Sequence, residues 1–533
     1  MKYVIGFMAM AFVMFCIPIS PAFSQNRPNI LILIADDMGT DAMGVYGIGT
    51  DQPNTPNLDG MLDDGLLFTN AWAYPTCAPS RASLLTGRYG NKNGVIRSGP
   101  NLPNEEVTIF EHLKAITNNG YAAAAFGKWH LGNANHPNNN GLDYFAGSLF
   151  SGVDDYYHWE RVVNGVTDTS QTYVTSYITD EAINWIDNHT EPWIVWMAYN
   201  APHGPIHLPP DSLYTRIDTA SNFDKYICMI ESVDHESGRL YNSLTQAEKD
   251  STIIIFVGDN GTPNGQLQTF PNGHGKSTLY EGGINIPMFI TGYGVGRENE
   301  IDDALVSFSD VFATITELLG FDLPGGIDNS FSFHQLLSDA TAPTRTYNYS
   351  EFGDLETDRA IRNAQYKLIT RFDGTQEFFD LLADPYEEND LIMGNPDMAM
   401  QQIIDELQSE SDSIFLSWSC NDDILNGEEE DIDCGGNSCA PCLTVSIEEP
   451  LINDAEILVY PNPASSLLNI DSGADILKSI RCFDYSGRQI YAQQHLSTTK
   501  TNIDLSNLPA GIYILEVVVD DKAYLQTFVK VDE

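Results

Sequence analysis

The chain has 533 residues, 42% hydrophobic and 11% aromatic, which excludes a disordered polymer and predicts two or more domains rather than one simple core. Its 74 acidic against 26 basic residues give a formal net charge of -48 at pH 7, which excludes nucleic acid as a partner because phosphate binding needs clustered Lys and Arg. The same field repels anions until salt screens it over about 8 Å, so an anionic substrate would need a local cationic pocket; the acidic surface itself reads as an aid to solubility in a salty exterior.

Lys2, the apolar run Val4 to Ile19 and the small-residue site Ala22-Phe23-Ser24 predict a secretory signal peptide over residues 1–24. The run is short for a membrane span and no other stretch is long and apolar enough, so no transmembrane segment is expected in the mature chain. Cys16 follows Phe15 and makes no lipoprotein cleavage box. From residue 28 to about 320, short apolar runs alternate with amphipathic stretches, the pattern of an α/β fold with a mainly parallel sheet sandwiched by helices. Four runs stand out: Asn29 to Ala35, Ala122 to Phe126, Trp193 to Tyr199 and Ile253 to Val257. They are almost continuously hydrophobic, as strands covered on both faces are. They end at Asp36-Asp37, at Gly127-Lys128-Trp129-His130, at Asn200-Ala201-Pro202-His203 and at Gly258-Asp259-Asn260-Gly261. In open α/β sheets sites form at the carboxyl ends of strands, so these four sets are expected to converge on one crevice.

Asp36, Asp37, Asp259 and Asn260 offer only oxygen ligands, which suits Ca²⁺ or Mg²⁺ and disfavours zinc. Adjacent carboxylates without a cation disfavour joint ionisation. The plainer alternative is that Asp36 or Asp259 caps a following helix. Between the first two strands lies Cys77-Ala78-Pro79-Ser80-Arg81-Ala82-Ser83-Leu84-Leu85-Thr86-Gly87-Arg88. A lone cysteine before a helix is usually an inert buried one. Lys276 follows the fourth strand, in Gly275-Lys276-Ser277-Thr278-Leu279-Tyr280-Glu281-Gly282-Gly283.

The Cys77 to Arg88 stretch resembles the signature of the type I sulfatases of the alkaline phosphatase superfamily, Cys-x-Pro-Ser-Arg followed by Leu-Thr-Gly-Arg. The resemblance covers roughly residues 28–415, including Asp380-Leu381 and Asp384-Pro385 through Asn389 to Leu391, which is similar to the family's ending. It implies that Cys77 is oxidised after translation to formylglycine (3-oxoalanine) by a formylglycine-generating enzyme, which reads Pro79 and Arg81. It also implies one calcium ion, less readily Mg²⁺, held by Asp36, Asp37, Asp259, Asn260 and the modified Cys77. A thiol suits sulfate ester hydrolysis poorly, because its sulfated adduct has no easy exit. An aldehyde hydrate attacks with one hydroxyl and expels sulfate through the other, replacing one difficult displacement by two easier steps. By the same mapping Arg81 stabilises the hydrate, Lys128 and His130 lie beside it, His203 lies near the leaving oxygen and Lys276 grips the sulfate. We expect His203 to act as general acid and His130 as base in the elimination, with the cations neutralising developing charge. The lead-in Gly273-His274-Gly275 departs from the commoner glycine-rich form, and Gly258 replaces a small hydroxyl residue; we expect the latter to be harmless.

After about residue 335 short antiparallel strands are expected around Ala360-Ile361-Arg362, Tyr366 to Ile369 and Glu377 to Leu381, forming a smaller α+β subdomain over 335–418 and closing a catalytic domain of 25–418. Residues 419–444 are acidic and hold Cys420, Cys434, Cys439 and Cys442. In an exported chain these read as a disulfide-stapled linker whose pairing the sequence leaves open. Its carboxylates lack the spacing of an EF-hand loop. Cys228 and Cys482 stand alone. From Val445 to residue 533 the chain reads as all-β, punctuated by Tyr460-Pro461-Asn462-Pro463 and Leu508-Pro509-Ala510-Gly511-Ile512-Tyr513. This resembles the immunoglobulin-like C-terminal sorting domain of Bacteroidetes proteins exported by type IX secretion machinery. It implies passage through the periplasm to a secreted or cell-surface location. The alternative is a generic binding sandwich.

A formylglycine-dependent phosphonate or phosphate-ester hydrolase shares the same nucleophile and metal. A catalytically silent surface glycan-binding protein would instead keep an unmodified Cys77. For the sulfatase reading, export makes a sulfated polysaccharide or oligosaccharide the expected substrate. Asp154-Asp155-Tyr156-Tyr157-His158-Trp159, in the insert from Asn133 to Gly165, either stacks on sugar rings or packs that loop onto the domain.

Overall fold

The strand β1 (Asn29–Ala35) shows why the central sheet is buried on both sides. Ile30, Ile32 and Ile34 point into one core and Leu31, Leu33 and Ala35 into the other, so successive side chains feed opposite faces. The computed structural model describes residues 27–416 except 191, 325–326, 328, 354–356 and 395, and residues 457–531 except 463, 474–475, 484–488, 506–507, 509–510 and 520–521. The expected signal peptide and the cysteine-rich linker lie outside the described residues. Among the described residues no helix is long and apolar enough to cross a membrane.

The sheet continues with β2 (Gly65–Trp72), β3 (Ala122–Lys128), β4 (Tyr144–Ser148), β5 (Trp159–Val163), β6 (Val166–Ser170), β7 (Trp193–Ala198), β8 (Thr252–Gly258), β9 (Met288–Gly292) and β10 (Glu300–Ser307). Their order is β10-β2-β9-β8-β1-β7-β3-β4-β5-β6. The heart, β8-β1-β7-β3-β4, is parallel, with Ile32 paired to both Trp196 and Ile255. The strand β9 runs antiparallel to β2 and β8, and β5 and β6 extend the other edge antiparallel. On one face lie the helices Cys77–Thr86, Ile109–Thr117 and Asp310–Leu318; on the other lie Pro56–Leu62, Val174–Asp187 and Asn222–Ser243. This is the expected helix-sheet-helix sandwich.

A second sheet follows: β11 (Asn348–Gly353), β12 (Thr357–Arg362), β13 (Tyr366–Thr370) and β14 (Gln376–Asp380), paired antiparallel in that order. One face packs Ile361, Leu368 and Phe378 against Ile404 and Leu407 of the helix Met398–Leu416. The other packs Ala360, Ile369 and Phe379 against Trp72, Leu279 and Ile284 of the large-sheet region.

The chain divides into units 1–439 and 440–533. The second unit is all-β. A three-stranded sheet (Leu458–Tyr460, Leu467–Asp471, Lys500–Asp504) and a four-stranded one (Leu477–Phe483, Gln489–Thr498, Gly511–Val519, Lys522–Lys530) share a core of Leu468, Ile470, Ile480, Cys482, Leu515 and Phe528. Both sheets are antiparallel, as expected of the sandwich.

Candidate active site

Four adjacent strands, β8, β1, β7 and β3, end side by side, and their loops are stitched together. The Asp36 amide donates to Ala201 O (3.2 Å) and the Asp259 amide to Ala35 O (3.1 Å). Asp37 takes a left-handed backbone (φ 72), with its amide donating to Asp259 Oδ1 at 3.1 Å. Neither Asp36 nor Asp259 caps a helix: the 3-10 turn after β1 starts only at Thr40 with Gly39 as its cap, and the first helix after β8 starts at Glu281 with Tyr280 as its cap. At Gly258 an added Cβ would lie 2.1 Å from the Met38 carbonyl oxygen, so a hydroxyl residue does not fit this backbone.

Cys77 opens the helix Cys77–Thr86, is buried, and its thiol donates to Asp36 Oδ1 at 3.2 Å. Burial pushes the thiol up, and Asp259 and Asp36 add to it. Arg81, one turn along, is fully buried. Its Nε and Nη2 donate to Asp259 Oδ2 (3.0 and 2.8 Å) and its Nη1 to the Lys128 carbonyl (2.7 Å). Lys128 Nζ lies 2.5 Å from Asp36 Oδ2. Lys276 Nζ binds Asp37 Oδ1 and reaches Cys77 Sγ at 3.6 Å, despite the unusual glycine lead-in. Three carboxylates therefore face three cations. Burial pushes the Asp36 carboxyl up, but Lys128, His203, Arg81 and Lys276 together hold it well below its ordinary value. Burial and the neighbouring Asp36 charge push Asp259 up, with Arg81 opposing.

His130 follows β3 with φ 62, and its buried Nδ1 has no partner. Burial, reinforced by the charges of Lys128 and Arg81, pulls its imidazole down to about 2, so the ring is neutral. His203 is half-buried; its Nδ1 lies 2.8 Å from Gly204 O and its Nε2 3.9 Å from Asp37 Oδ2. Ligand atoms of Asp36, Asp37, Cys77 and His203 all lie within 4.8 Å of one another. The structure thus brings the residues named from the sequence to one place, with His203, expected there as a proton donor, also within ligand distance of the group formed by Asp36, Asp37 and Cys77.

Asn260 donates through Nδ2 to Asp37 Oδ1 (2.9 Å), while its buried Oδ1 has no partner. A buried carbonyl oxygen without a donor, beside three carboxylates, fits a hard divalent cation. The residues bracing this corner escaped sequence reasoning. Tyr226 donates its hydroxyl to Asp37 O (2.8 Å), and Thr262 bonds both the Gly39 amide and Asp41. Separations of up to 223 residues left no local signal for them. In the 133–165 insert, Tyr156 and Trp159 are buried, and Trp159 Nε1 donates to Thr172 O (2.9 Å); packing, not an open sugar platform, is what these two rings do.

With this geometry in view, the chain belongs to the Sulfatase family, which residues 28–321 match. Residues 273–414 match the N-sulphoglucosamine sulphohydrolase C-terminal family, and residues 458–531 match the secretion system C-terminal sorting domain. The human N-acetylgalactosamine-6-sulfatase is 31% identical over 342 residues, 56% of this chain and 64% of that protein. The uncharacterized sulfatase YdeN of Escherichia coli K12 is 29% identical over 359 residues, with the same coverage. The chain thus spans 64% of the length of these relatives. Among solved structures, Ps i-CgsB superposes with a TM-score of 0.66 at 26% identity, over 75% of this chain and 94% of the other. The same protein has been solved with a k-i-k-neocarrahexaose.

Proposed function

We propose that this chain is an exported sulfatase that hydrolyses sulfate esters on sulfated polysaccharides or oligosaccharides. The observation that carries the reading is the meeting of Cys77 with Asp36, Asp37, Lys276 and His203 at one sheet edge in a member of the Sulfatase family. Its glycan preference is argued from the neighbours: one relative is named for a sulfated amino sugar, and Ps i-CgsB has been solved with a k-i-k-neocarrahexaose.

The formylglycine formed from Cys77 would supply, as its hydrate, the oxygen that attacks sulfur, and a calcium ion on Asp36, Asp37, Asp259 and Asn260 would neutralise negative charge there. The protein's own residues do the rest. Three carboxylates and three cations make the pocket close to neutral, so a bound divalent cation would leave it positive and would draw in a sulfate ester, which carries a single negative charge, against the acidic surface. Lys276 and Lys128 point their ammonium groups at the carboxylates that face Cys77 and are placed to hold sulfate oxygens. Arg81 fixes Asp259 with two hydrogen bonds to one oxygen, leaving the other to orient Asp37. His203 donates from Nδ1 to Gly204 O, so Nε2 is the atom that faces the site, and it is the imidazolium, protonated on both nitrogens, that would pass the Nε2 proton to the leaving alcohol. His130 is assigned as the base of the elimination for its unpartnered ring nitrogen beside Lys128; burial and its cationic neighbours make the imidazole a weak base, which the negative charge of a bound sulfate would strengthen.

The full chain, produced with a formylglycine-generating enzyme, should release sulfate from carrageenan or glycosaminoglycan oligosaccharides in a screen that includes aryl sulfates and phosphate esters. The Cys77 peptide should carry an aldehyde by mass. Cys77→Ala should release no sulfate. Near-normal turnover by that variant, or an unmodified thiol in active native material, would sink the mechanism. Preferential release of phosphate would favour the phosphoester reading.

A further inference from the structure

The segment that carries His203 has no helix or strand between Tyr199 and Pro210, so its imidazole must be held by something else. Tyr156 is buried and donates its hydroxyl to two carbonyl oxygens of that segment, Asn200 O at 2.6 Å and His203 O at 2.7 Å. The His207 ring lies against Tyr156, with centroids 4.1 Å apart, and its Nδ1 lies 2.8 Å from Pro205 O. Further along, Tyr157 donates to Leu208 O at 2.7 Å. From the other side Gly152 abuts the catalytic ring: a Cβ there would lie 2.9 Å from His203 Cε1 and 3.0 Å from Nδ1.

We propose that Tyr156 is a positioning residue for His203 and that Gly152 is the wall against which the imidazole is set. The loop between β4 and β5 then serves protonation of the leaving group. This rests on the reading of His203 as proton donor. A donor displaced by about 1 Å loses on the order of a hundredfold in rate. The loss falls on esters whose leaving group needs the proton, and spares those that leave readily as anions.

The test compares phenyl sulfate, whose phenol has a pKa of about 10, with 4-nitrophenyl sulfate, whose phenolate leaves far more easily. Tyr156→Phe should lower kcat on phenyl sulfate by roughly tenfold or more, with KM unchanged, and on 4-nitrophenyl sulfate by less than about threefold. Gly152→Ala displaces the ring from the opposite side without touching the hydroxyl clamp and should show the same selective loss; it decides the matter if Tyr156→Phe does not fold. Tyr157→Phe, whose bond lies five residues beyond His203, should leave the ratio of the two rates unchanged. Equal losses on both esters, or an unchanged ratio in both test variants, would overturn the proposal. If the wild-type chain hydrolyses neither aryl ester, the same variants are compared on a sulfated oligosaccharide, whose alcohol needs the proton and on which Tyr156→Phe and Gly152→Ala should each lose roughly tenfold or more while Tyr157→Phe does not; no sulfate release from oligosaccharides either would sink the sulfatase reading itself, and that result is separate.

Discussion

Cys77 sits in the first turn of a helix, where the positive end of the dipole favours a thiolate. Burial and the Asp259 and Asp36 charges act more strongly the other way, so the sulfur keeps its proton and donates it to Asp36. A protonated thiol among carboxylates is a poor nucleophile, which agrees with a cysteine that is the precursor of another group. Asp259 has a similar double duty. Both its oxygens are engaged, by Arg81 and by the Asp37 amide, so Asp259→Ala would strand a buried guanidinium at about 3–5 kcal/mol. Asp37 is the cleaner probe of the metal, because Asp37→Asn removes a charged oxygen and leaves the Arg81 pair intact. Chelation of the wild-type protein should lower both its melting temperature and its sulfate release, and Ca²⁺ should restore both better than Zn²⁺. The Asn variant should show a much smaller calcium-dependent rise in melting temperature. An equal rise in the variant would remove Asp37 from the ligand set. As candidates, Asp37 and Asp259 were legible because each directly follows a hydrophobic run, and Cys77 and Arg81 because they belong to the stretch from Cys77 to Arg88. Tyr156 was legible only as an aromatic ring, since its partners lie 44 and 47 residues away and are backbone carbonyls, which carry no signature in side-chain identity.

At the scale of elements, strands with both faces covered announce themselves by continuous hydrophobicity, and β1, β3, β7 and β8 fall where they were expected. The strand β10 did not announce itself, because its first half is largely exposed and carries Glu300, Asp302 and Asp303. The strand β11 was missed as well, and it bears a buried carboxyl. Glu351 accepts hydrogen bonds from the Asn91 amide (2.6 Å) and the Tyr349 hydroxyl (2.9 Å), joining the smaller sheet to the turn that follows the Cys77 helix. Burial pushes it up from 4.5 to about 7 against those two bonds and Arg359. The folded state therefore binds this proton more tightly than the unfolded chain. The resulting stabilisation, of order 3 kcal/mol, is complete below about pH 4.5 and is lost as the pH rises through about 7. Glu351→Gln keeps an acceptor for Asn91 and cannot ionise. Its melting temperature should fall between pH 5 and pH 8 by a few degrees less than that of the wild type. Tryptophan fluorescence is the suitable readout, since all seven tryptophans lie at or before Trp418 and report on the first unit alone. Parallel pH slopes in the two proteins would show that Glu351 does not titrate in this range.

At the scale of the whole chain, the two units have separate cores and separate chemistry. The residues of the candidate site span Asp36 to Lys276, all within the first unit, whereas the second buries Leu468, Ile480, Leu515 and Phe528 in a sandwich of its own. Its sorting assignment was legible from turn motifs such as Tyr460-Pro461-Asn462 and agrees with the family matched over 458–531. What the sequence could not give is the glycan, because recognition of a sugar depends on which side chains reach the rim of the crevice, and no motif spacing encodes that. The division of labour has a direct consequence. A chain ending near Leu443 keeps every group of the candidate site, so with formylglycine installed it should turn over sulfate esters within about twofold of the full chain, as expected when additive and independent parts are separated. In its native host, the same truncated chain should cross the inner membrane by the signal peptide expected over residues 1–24 and then stop. Fractionation should find sulfatase activity in the periplasm, and protease added to intact cells should not reach it. The full chain should be found at the surface or in the medium. If the truncated protein reached the surface as efficiently as the full chain, residues 445–533 would not be a sorting signal and would be better read as a module that binds glycan or cell wall beside the enzyme.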